Sequence, residues 1–235
     1  MPTPSTGNST GVKLIQYGND TSNIQFGYDA GGNIISLNYV ANGVPMPYTI
    51  SYLNGVPNRM VNVNSTTNLT FSNGLIQKTD LYNNNGQNLQ SSTAYTYANN
   101  QLQTQSIYQQ TPTGLTLWIK YEYSYLINGD LDSIVVYAID FNTGQLQKLR
   151  TFKCTYDTHP NPLLAVNNFY IQFYGIPASA HNVTQVTIYD INNAVILTAN
   201  YNYTYRQDGY PVSAERALQE PGTAAELIHI KYLYQ

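Results

Sequence analysis

Charge is the scarcest property of this sequence. Asp, Glu, Lys and Arg make up 10% of its 235 residues, whereas a typical globular domain has about 25%. The formal net charge is −3, and the Lys and Arg residues form no cluster that could neutralise a phosphate backbone. Near-pairs such as Lys148 and Arg150 are interpreted as solvated strand positions. These features exclude a nucleic-acid partner.

The residue patterns of catalytic and metal sites are missing as well. The serines show no nucleophile-elbow pattern, and the glutamates offer no acid–base pair for sugar hydrolysis. The histidines have no metal-ligand spacing. Asp130 and Asp132 could approach a cation, but their spacing differs from an EF-hand and turn chemistry explains them. Cys154 is the single cysteine, so it cannot form an intramolecular disulfide, and we expect a small buried hydrophobe. The sequence therefore predicts no catalytic residue, no metal, no cofactor and no enzymatic activity.

Long apolar runs are absent too. No stretch of about 18 apolar residues exists, so no transmembrane helix is predicted. The start, residues 1–11, is rich in Pro, Ser, Thr and Gly and is predicted to be a flexible tether. It lacks the pattern of an export signal, and we expect that the chain begins after one has been removed. Residues 12–235 are predicted to form one Tyr-rich β-hairpin repeat domain.

What the sequence does contain is tyrosine. There are 23 Tyr, aromatic residues reach 13% and hydrophobic residues 42%, which is enough to bury a core and argues against disorder. The polar residues are mainly Asn, Gln, Thr and Ser, which favour turns and disfavour helix interiors, while Tyr favours strands. The composition therefore indicates an all-β protein.

Period-two alternation supports this interpretation. From Leu115 to Tyr125 the odd positions are apolar or Tyr and the even positions are polar, with Trp118 as the exception. Val195 to Arg206 alternates in the same way. Because a strand places alternate side chains on opposite faces, each segment is predicted to have one buried, Tyr-bearing face and one solvated face, as in antiparallel sheets.

The turns repeat a local motif in which an aromatic residue ends one strand, an Asn/Asp/Gly turn follows, and an aliphatic residue opens the next strand. Tyr52-Leu53-Asn54-Gly55-Val56 is typical, because Asn-Gly tolerates the positive φ of a tight hairpin. Looser turns alternate with these tight ones until about Asn142, beyond which the alternation is not readable. We therefore predict an antiparallel up-and-down meander of about 14 to 16 strands, curled into a barrel or half-barrel because open sheets this large seldom stay flat. Pro211 to Ala217 is predicted as a strand that pairs with Leu227 to Tyr234.

Two stretches resemble known families. The Tyr-Asp-x-x-Gly-x-Ile/Leu turn resembles the YD repeat of RHS-type proteins. Tyr156 to Leu163 and Tyr203 to Ser213 resemble the signature of a family of Bacteroidetes secreted lipoproteins, a domain of unknown function with a porin-like fold. Leu163 stands where that family usually has Phe. The resemblance covers about Lys13 to Tyr234 and implies a β-barrel fold and an extracytoplasmic location, at the bacterial surface or in the periplasm.

The aromatic side chains are the candidate binding residues. Tyr121, Tyr123, Tyr201 and Tyr203 lie in ladders that are either cross-strand packing or a stacking platform for a ligand. Trp118, on the polar face of its strand, is either a contact residue or enclosed by a barrel. A transmembrane barrel would confine aromatics to two rims, whereas Tyr occurs here in mid-strand.

The predicted function is a non-catalytic binding or adhesion module of lipoprotein type. Its ligand would be a glycan or a cell-surface protein. It would not span the membrane, and any lipid anchor would be attached through a residue absent from this chain. The first alternative is a structural β-shell or accessory subunit without a small ligand, and the remote one is a hydrolase.

Overall fold

The computed structural model describes residues 12–83 and 86–235, which form sixteen strands, a 3-10 helix at Pro162–Val166 and one α-helix. The strands are β1 (Leu14–Gly18), β2 (Asn23–Tyr28), β3 (Ile34–Ala41), β4 (Val44–Leu53), β5 (Val56–Val61), β6 (Ser65–Ser72), β7 (Leu75–Asn83), β8 (Leu89–Ala98), β9 (Gln101–Thr111), β10 (Gly114–Tyr125), β11 (Leu131–Ile139), β12 (Leu146–Pro160), β13 (His181–Tyr189), β14 (Val195–Tyr205), β15 (Pro211–Gln219) and β16 (Glu226–Tyr234). The helix α1 is Asn167–Tyr174.

Each strand lies between its sequence neighbours, and the order closes because β16 is also hydrogen-bonded to β1. The closing ladder runs from Leu14 opposite Tyr234 to Gly18 opposite Lys231. The predicted all-β meander is therefore confirmed, as a closed sixteen-strand barrel. The predicted pairing of the last two strands is also confirmed, as β15 and β16. The predicted tether, residues 1–11, lies outside the described residues.

The tight hairpins share a register that explains their sequence motif. Tyr28 at the end of β2 lies opposite Ile34 at the start of β3, and the next pair is Gly27 with Ser36, so Ile35 is an extra residue, a β-bulge. The same bulge places Tyr125 opposite Leu131 in the hairpin of β10 and β11. It recurs in three further tight hairpins, at Tyr52–Pro57, Phe71–Ile76 and Tyr205–Pro211. In each hairpin the aromatic residue is therefore the cross-strand partner of one of the first two residues of the next strand, which is Ile34, Leu131, Pro57, Ile76 or Pro211.

Tyrosine hydroxyls fasten neighbouring strands at the tight-turn end. Tyr28 donates to the carbonyl oxygen of Leu14 at 2.8 Å, and Tyr52 donates to that of Ile34 at 2.9 Å. Burial raises the pKa of Tyr28 to about 12, so its hydroxyl keeps the proton that it donates. Each such bond contributes about 1 kcal/mol.

The described residues fall into two compact units. The first contains the residues up to Ser92 together with Lys231–Gln235, and the second contains Thr93–Ile230. Each has a buried apolar face. The most buried side chains of the first unit include Ile24, Leu37 and Ile76, and those of the second include Leu131, Ile134 and Ile171. The core of the first unit is therefore made by alternate residues of successive strands, and that of the second also includes Ile171 of α1.

One expectation about strand faces is wrong at the loose-turn end of β10. Leu117 lies opposite Tyr108, whereas Ile119 lies opposite Ile107. Tyr108 and Ile107 are neighbours in β9 and point to opposite faces, so Leu117 does not share the face of Ile119, and neither does Leu115. Trp118 is the extra residue of a bulge that reverses the alternation.

The same correction applies to Val195 in β14. Val195 pairs with Tyr189 and Leu197 pairs with Ile188, which puts Val195 on the face opposite Leu197. Ile196 is the extra residue of that bulge.

The loss of alternation after Asn142 also has a structural reason. The connection from β12 to β13 holds the 3-10 helix and α1, and it falls at the tight-turn end. Asn161 caps the 3-10 helix by accepting from the backbone N–H of Leu163 at 3.0 Å. Gly175, with φ +65°, ends α1 in the left-handed conformation.

Candidate functional site

Trp118 is exposed on the outer side of the second unit. As the extra residue of a bulge in β10, it has no cross-strand partner in β9. Its side chain is 44% exposed and packs edge-on against Phe141, with ring centroids 5.2 Å apart and an interplanar angle of 65°. Such a pair contributes about 0.5–1.5 kcal/mol beyond its buried area. The bulge therefore directs the one Trp into solvent, and Phe141 holds it there.

Two more bulges repeat this arrangement on alternate strands. In β12 the register passes from Lys148, opposite Tyr137, to Arg150, opposite Val136, which leaves Leu149 as the extra residue. Ile196 is the extra residue of β14. Leu149 is 42% exposed and Ile196 is 40% exposed. We call Trp118, Leu149 and Ile196 the bulge stripe.

The bulge stripe has a defined scale and apolar surroundings. Its members lie two strands apart, and each strand spacing is about 4.8 Å, so the stripe extends over roughly 20 Å. Further exposed apolar side chains occur at the same loose-turn end of the strands, namely Leu115, Phe141, Leu146, Ile191 and Val195. Contiguous exposed apolar patches on a protein surface mark interaction sites.

The same face is polar farther along the strands. Thr155 and Thr184 share a 2.9 Å hydrogen bond between their hydroxyls, and Gln185 donates to Asn200 at 2.8 Å. On β10 the Lys120 ammonium lies 2.7 Å from the Glu122 carboxylate. The middle of this face is therefore polar, and exposed apolar side chains lie toward both ends of the strands: at the bulge stripe and, at the tight-turn end, at Leu126, Ile127, Leu164 and Val212.

Tyr121 and Tyr123 face the opposite, buried side. Their rings are stacked with centroids 6.3 Å apart, and Tyr123 is only 5% exposed. The Tyr123 hydroxyl lies 2.8 Å from the carbonyl oxygen of Gly175 and 2.8 Å from Oε1 of Gln105. Burial raises the pKa of both tyrosines. Tyr123 therefore anchors the C-terminus of α1 to the sheet.

Tyr201 and Tyr203 form a second stack on the buried face, with centroids 6.2 Å apart. Tyr203 donates to the carbonyl oxygen of Val183 at 2.9 Å. Tyr201 accepts a hydrogen bond from Arg216, although burial still raises its pKa above the ordinary value. The structure thus separates Trp118 from the four candidate tyrosines, because they occupy opposite faces of the sheet.

A polar cluster that the sequence did not reveal fastens the β12–β13 connection. The Asp130 side chain is fully buried, and its carboxylate lies 2.7 Å from Nδ1 of His181. The same carboxylate accepts from the backbone N–H of His181 at 3.2 Å and from the side-chain amide of Asn128 at 2.8 Å. Ser179 accepts from the backbone N–H of Leu131 at 3.0 Å. Asp130, directly after the Asn128-Gly129 pair, was the sequence signal, but nothing local indicated His181.

The second half of this polar cluster is built around Asp157 of the Tyr156-Asp157 motif. Asp157 accepts from the backbone N–H groups of His159 at 2.9 Å and Asn182 at 3.2 Å, and also from the Tyr205 hydroxyl. The His159 ring is stacked on Tyr205 with centroids 3.9 Å apart. A buried Asp bound to a His is half of a nucleophile-activating triad, but the recorded hydrogen bonds of the described residues bring no nucleophile to His181. The contacts of Asp130 and Asp157 therefore hold the β12–β13 connection in place.

The first unit has a shallow cleft of about 630 Å³ on strands β2 to β5. Its lining includes the amides of Gln25 and Asn38 and the side chains of Pro47 and Val63, and it contains no charged residue. Asn38 donates to Gln25 at 3.4 Å. The cleft is open and neutral, and its aromatic lining residues are Phe26 and Tyr48.

Among residues 12–83 and 86–235, no group of three or more His, Cys, Asp or Glu side chains is placed to hold a metal ion. Cys154 is mostly buried beside Tyr156, and burial raises the pKa of its thiol to about 11. Among the described residues, none of the helices has the length and apolar character needed to cross a membrane.

Comparison with solved structures identifies the fold. A porin-like protein from Bacteroides uniformis superposes with a TM-score of 0.66 at 13% identity, over 99% of this chain and 100% of that one. A porin-like protein from Bacteroides vulgatus gives 0.60 at 12% identity, over 95% of this chain and 99% of that one. Neither a protein-family model nor a curated protein matches the sequence. At such identities the likeness shows a shared fold, the closed antiparallel barrel.

Proposed function

We propose that this protein is a non-catalytic, extracytoplasmic binding module that docks a protein partner through the bulge stripe. The observation that carries the proposal is the repetition of one device. Three bulges on alternate strands each expose a large apolar side chain, at 44%, 42% and 40% exposure. Bulges re-aim side chains and are concentrated at functional sites.

The chemistry of the stripe favours a protein over a glycan. Sugar rings stack on aromatic faces, but Leu149 and Ile196 are aliphatic, and Trp118 already packs with Phe141. Aromatic and aliphatic side chains surrounded by polar surface are typical of the centre of a protein–protein interface. A glycan remains the alternative ligand, and a structural shell without a ligand is the alternative role.

The proposed location, outside the cytoplasm and not within a membrane, is supported by the sequence resemblance and by the exposed face. A membrane-spanning barrel needs an apolar outward band about 25 Å tall. Here the middle of that face in the second unit carries Thr155, Thr184, Gln185 and Asn200, bonded to one another. The porin-like neighbours share the fold, and this polar face supports a role different from a membrane pore.

A photo-crosslinking residue placed in turn at positions 118, 149 and 196 tests the proposal in the organism's own cells. We expect the same protein adduct from all three positions, and none from a matched control at Thr155 on the polar part of β12. Adducts that differ between the three positions, or that also form at Thr155, would contradict a single docking surface.

A glycan array with the native chain and Trp118→Ala distinguishes the alternative ligand. The fluorescence of the single Trp reports directly on any molecule that covers this surface. Glycan binding that Trp118→Ala abolishes, together with a blue shift of Trp118 emission, would replace the protein partner by a sugar. If neither experiment gave binding, the structural shell would become the better description.

A further inference from the structure

Two arginine side chains of the second unit project to its buried face. Arg216 of β15 lies opposite Tyr201 of β14, and the next pair on that face is Tyr203 with Ala214, which is 3% exposed. Arg150 of β12 lies opposite Val136, which is 4% exposed. Directly opposed residues of an antiparallel pair share a face. Both guanidinium groups therefore lie among tyrosines and aliphatic side chains.

Neither guanidinium has a carboxylate partner. Among residues 12–83 and 86–235, the ion pairs within 4.0 Å involve other basic groups. Arg216 donates to the Tyr201 hydroxyl, and its Nε is buried without a hydrogen-bond partner. Arg216 is half-buried, and a partly desolvated charge that lacks a counter-ion is unfavourable, so Arg216 is an unusual feature of this face.

The groups around Arg216 cannot supply the missing negative charge at neutral pH. Burial raises the pKa of Tyr201 despite the adjacent Arg216. Burial likewise raises the pKa of Cys154, which also lies beside Tyr201, to about 11. The phenol and the thiol are therefore neutral.

The Tyr201 hydroxyl provides a second unused donor. Because it accepts its hydrogen bond from Arg216, its own proton is available to another acceptor, and the described residues provide none. The Arg216 guanidinium and the Tyr201 O–H group therefore lie next to each other, and the described residues place no acceptor between them. Arg150 of β12, three strands from β15, adds a second positive charge without a carboxylate partner to the same face of the unit.

We propose that Arg216 and Tyr201 form a binding site for an oxyanion, the carboxylate, sulfate or phosphate group of a small ligand. The planar guanidinium fork matches the oxygens of all three groups and forms charge-assisted hydrogen bonds with them. Tyr201 would donate a further bond to the same group. The positive potential of Arg150 would assist the approach of an anion. The site lies on the face of β14 opposite the bulge stripe, so it does not depend on the proposed docking function.

The test uses the full chain with sulfate, phosphate and acetate, each against chloride at equal ionic strength. Isothermal titration measures binding, and the alkylation rate of Cys154 by uncharged iodoacetamide gives a second readout, because Cys154 lies on the same face of the unit as Tyr201, two strands away. We expect at least one oxyanion to bind with saturation and to slow alkylation, whereas chloride does neither. Equal effects of chloride and of all three oxyanions would overturn the proposal.

The matched variants are Arg216→Gln and Arg206→Gln. Arg206 is partly exposed and paired with Asp208 at 2.9 Å, so its removal changes net charge equally without touching the site. We expect Arg216→Gln to weaken oxyanion binding about tenfold or more, and Arg206→Gln to leave it unchanged. Equal weakening by both would show a general charge effect and refute the site.

Loss of an unpaired buried charge is not expected to unfold the chain. If Arg216→Gln nevertheless fails to fold, Arg216→Lys keeps the charge and loses the planar fork. It should bind the oxyanion more weakly than the native chain. Binding as tight as in the native chain would exclude the guanidinium as the recognition group.

Discussion

Replacing Asp130 by Ala should destabilise the second unit more than any other single change of a carboxylate in this hairpin. The Asp130 side chain is fully buried and receives donors from three groups, the ring and backbone of His181 and the side chain of Asn128. Truncation leaves all three without their acceptor. It also releases the start of β13 from the hairpin of β10 and β11.

The size of the effect follows from those contacts. A hydrogen bond to a charged group contributes about 1.5–3 kcal/mol, and a buried donor left without an acceptor costs about 1–3 kcal/mol. The His181 side chain is 32% exposed, so water replaces part of the loss. We expect the free energy of unfolding to fall by about 3 kcal/mol, which for a chain of this size lowers Tm by roughly 6–12 °C.

Thermal and urea denaturation followed by circular dichroism measure this change. The control is Asp132→Ala, two residues farther along the chain, where the carboxylate makes a 3.4 Å contact with Ser124 on the exposed side. That substitution should change stability by less than about 0.5 kcal/mol. If Asp130→Ala cost no more than Asp132→Ala, the buried cluster would not hold the β12–β13 connection, and the reasoning would be refuted.

Two further predictions concern the tight-turn end of the strands. Burial raises the pKa of Tyr28 and of Tyr125 to about 12, above about 10 in an unfolded chain. The free energy of unfolding should therefore be at its full value below pH 10 and should decline as the pH rises through 12. Urea denaturation across that range measures this decline, and a constant stability up to pH 12 would contradict the prediction. Gly175→Ala places a side chain at φ +65° and should lower the free energy of unfolding by about 1 kcal/mol. We expect this loss of stability to appear as faster amide hydrogen exchange in α1. Unchanged exchange would show that the left-handed residue after α1 is dispensable.

The repeated hairpins could be predicted from sequence because their determinants are local. Asn54 and Gly55 take φ of 53° and 76°, as the Asn-Gly pair requires, and the flanking Tyr52 pairs with Pro57 close by. Every such turn is specified within about seven residues. Counting the turns therefore predicted about 14 to 16 strands, a range that includes the sixteen observed. Closure of the sheet followed from the number of strands.

The helix α1 was missed because its stability is tertiary. Its sequence is aromatic and polar without strong helix formers, and Phe169 and Ile171 are buried against the rest of the unit. The local signals were present at its borders, as Asn161 with Pro162 at the start of the 3-10 helix and Gly175 after α1. These two capping signals flank a segment whose composition is typical of a strand, and the alternating pattern on both sides favoured a strand over a helix.

The bulges show why the candidate site was only half predictable. Trp118 violated the alternation of its strand, and that violation marked a residue that a bulge exposes. Ile196, an apolar residue at a polar-face position of its strand, carried the same mark. Leu149 lay outside the alternating segments, and its bulge is a property of the register between two strands and not of one sequence. The Arg216 environment was hidden for the same reason, since a missing counter-ion is visible only when the neighbouring strands are in place.

Bulges therefore have different roles at the two ends of the strands in the second unit. At the tight-turn end, bulges bring an aromatic residue opposite an aliphatic one, and hydroxyls and carboxylates fasten the backbone. At the loose-turn end, bulges turn Trp118, Leu149 and Ile196 outward, where Trp118 packs against Phe141 and all three side chains remain at least 40% exposed. A bulge needed only for curvature would accept a polar residue there, because a polar side chain in solvent avoids the cost of exposing apolar area, about 25 cal/mol per Å². Apolar residues at all three positions are consequently better explained by a surface that is covered when the protein is at work.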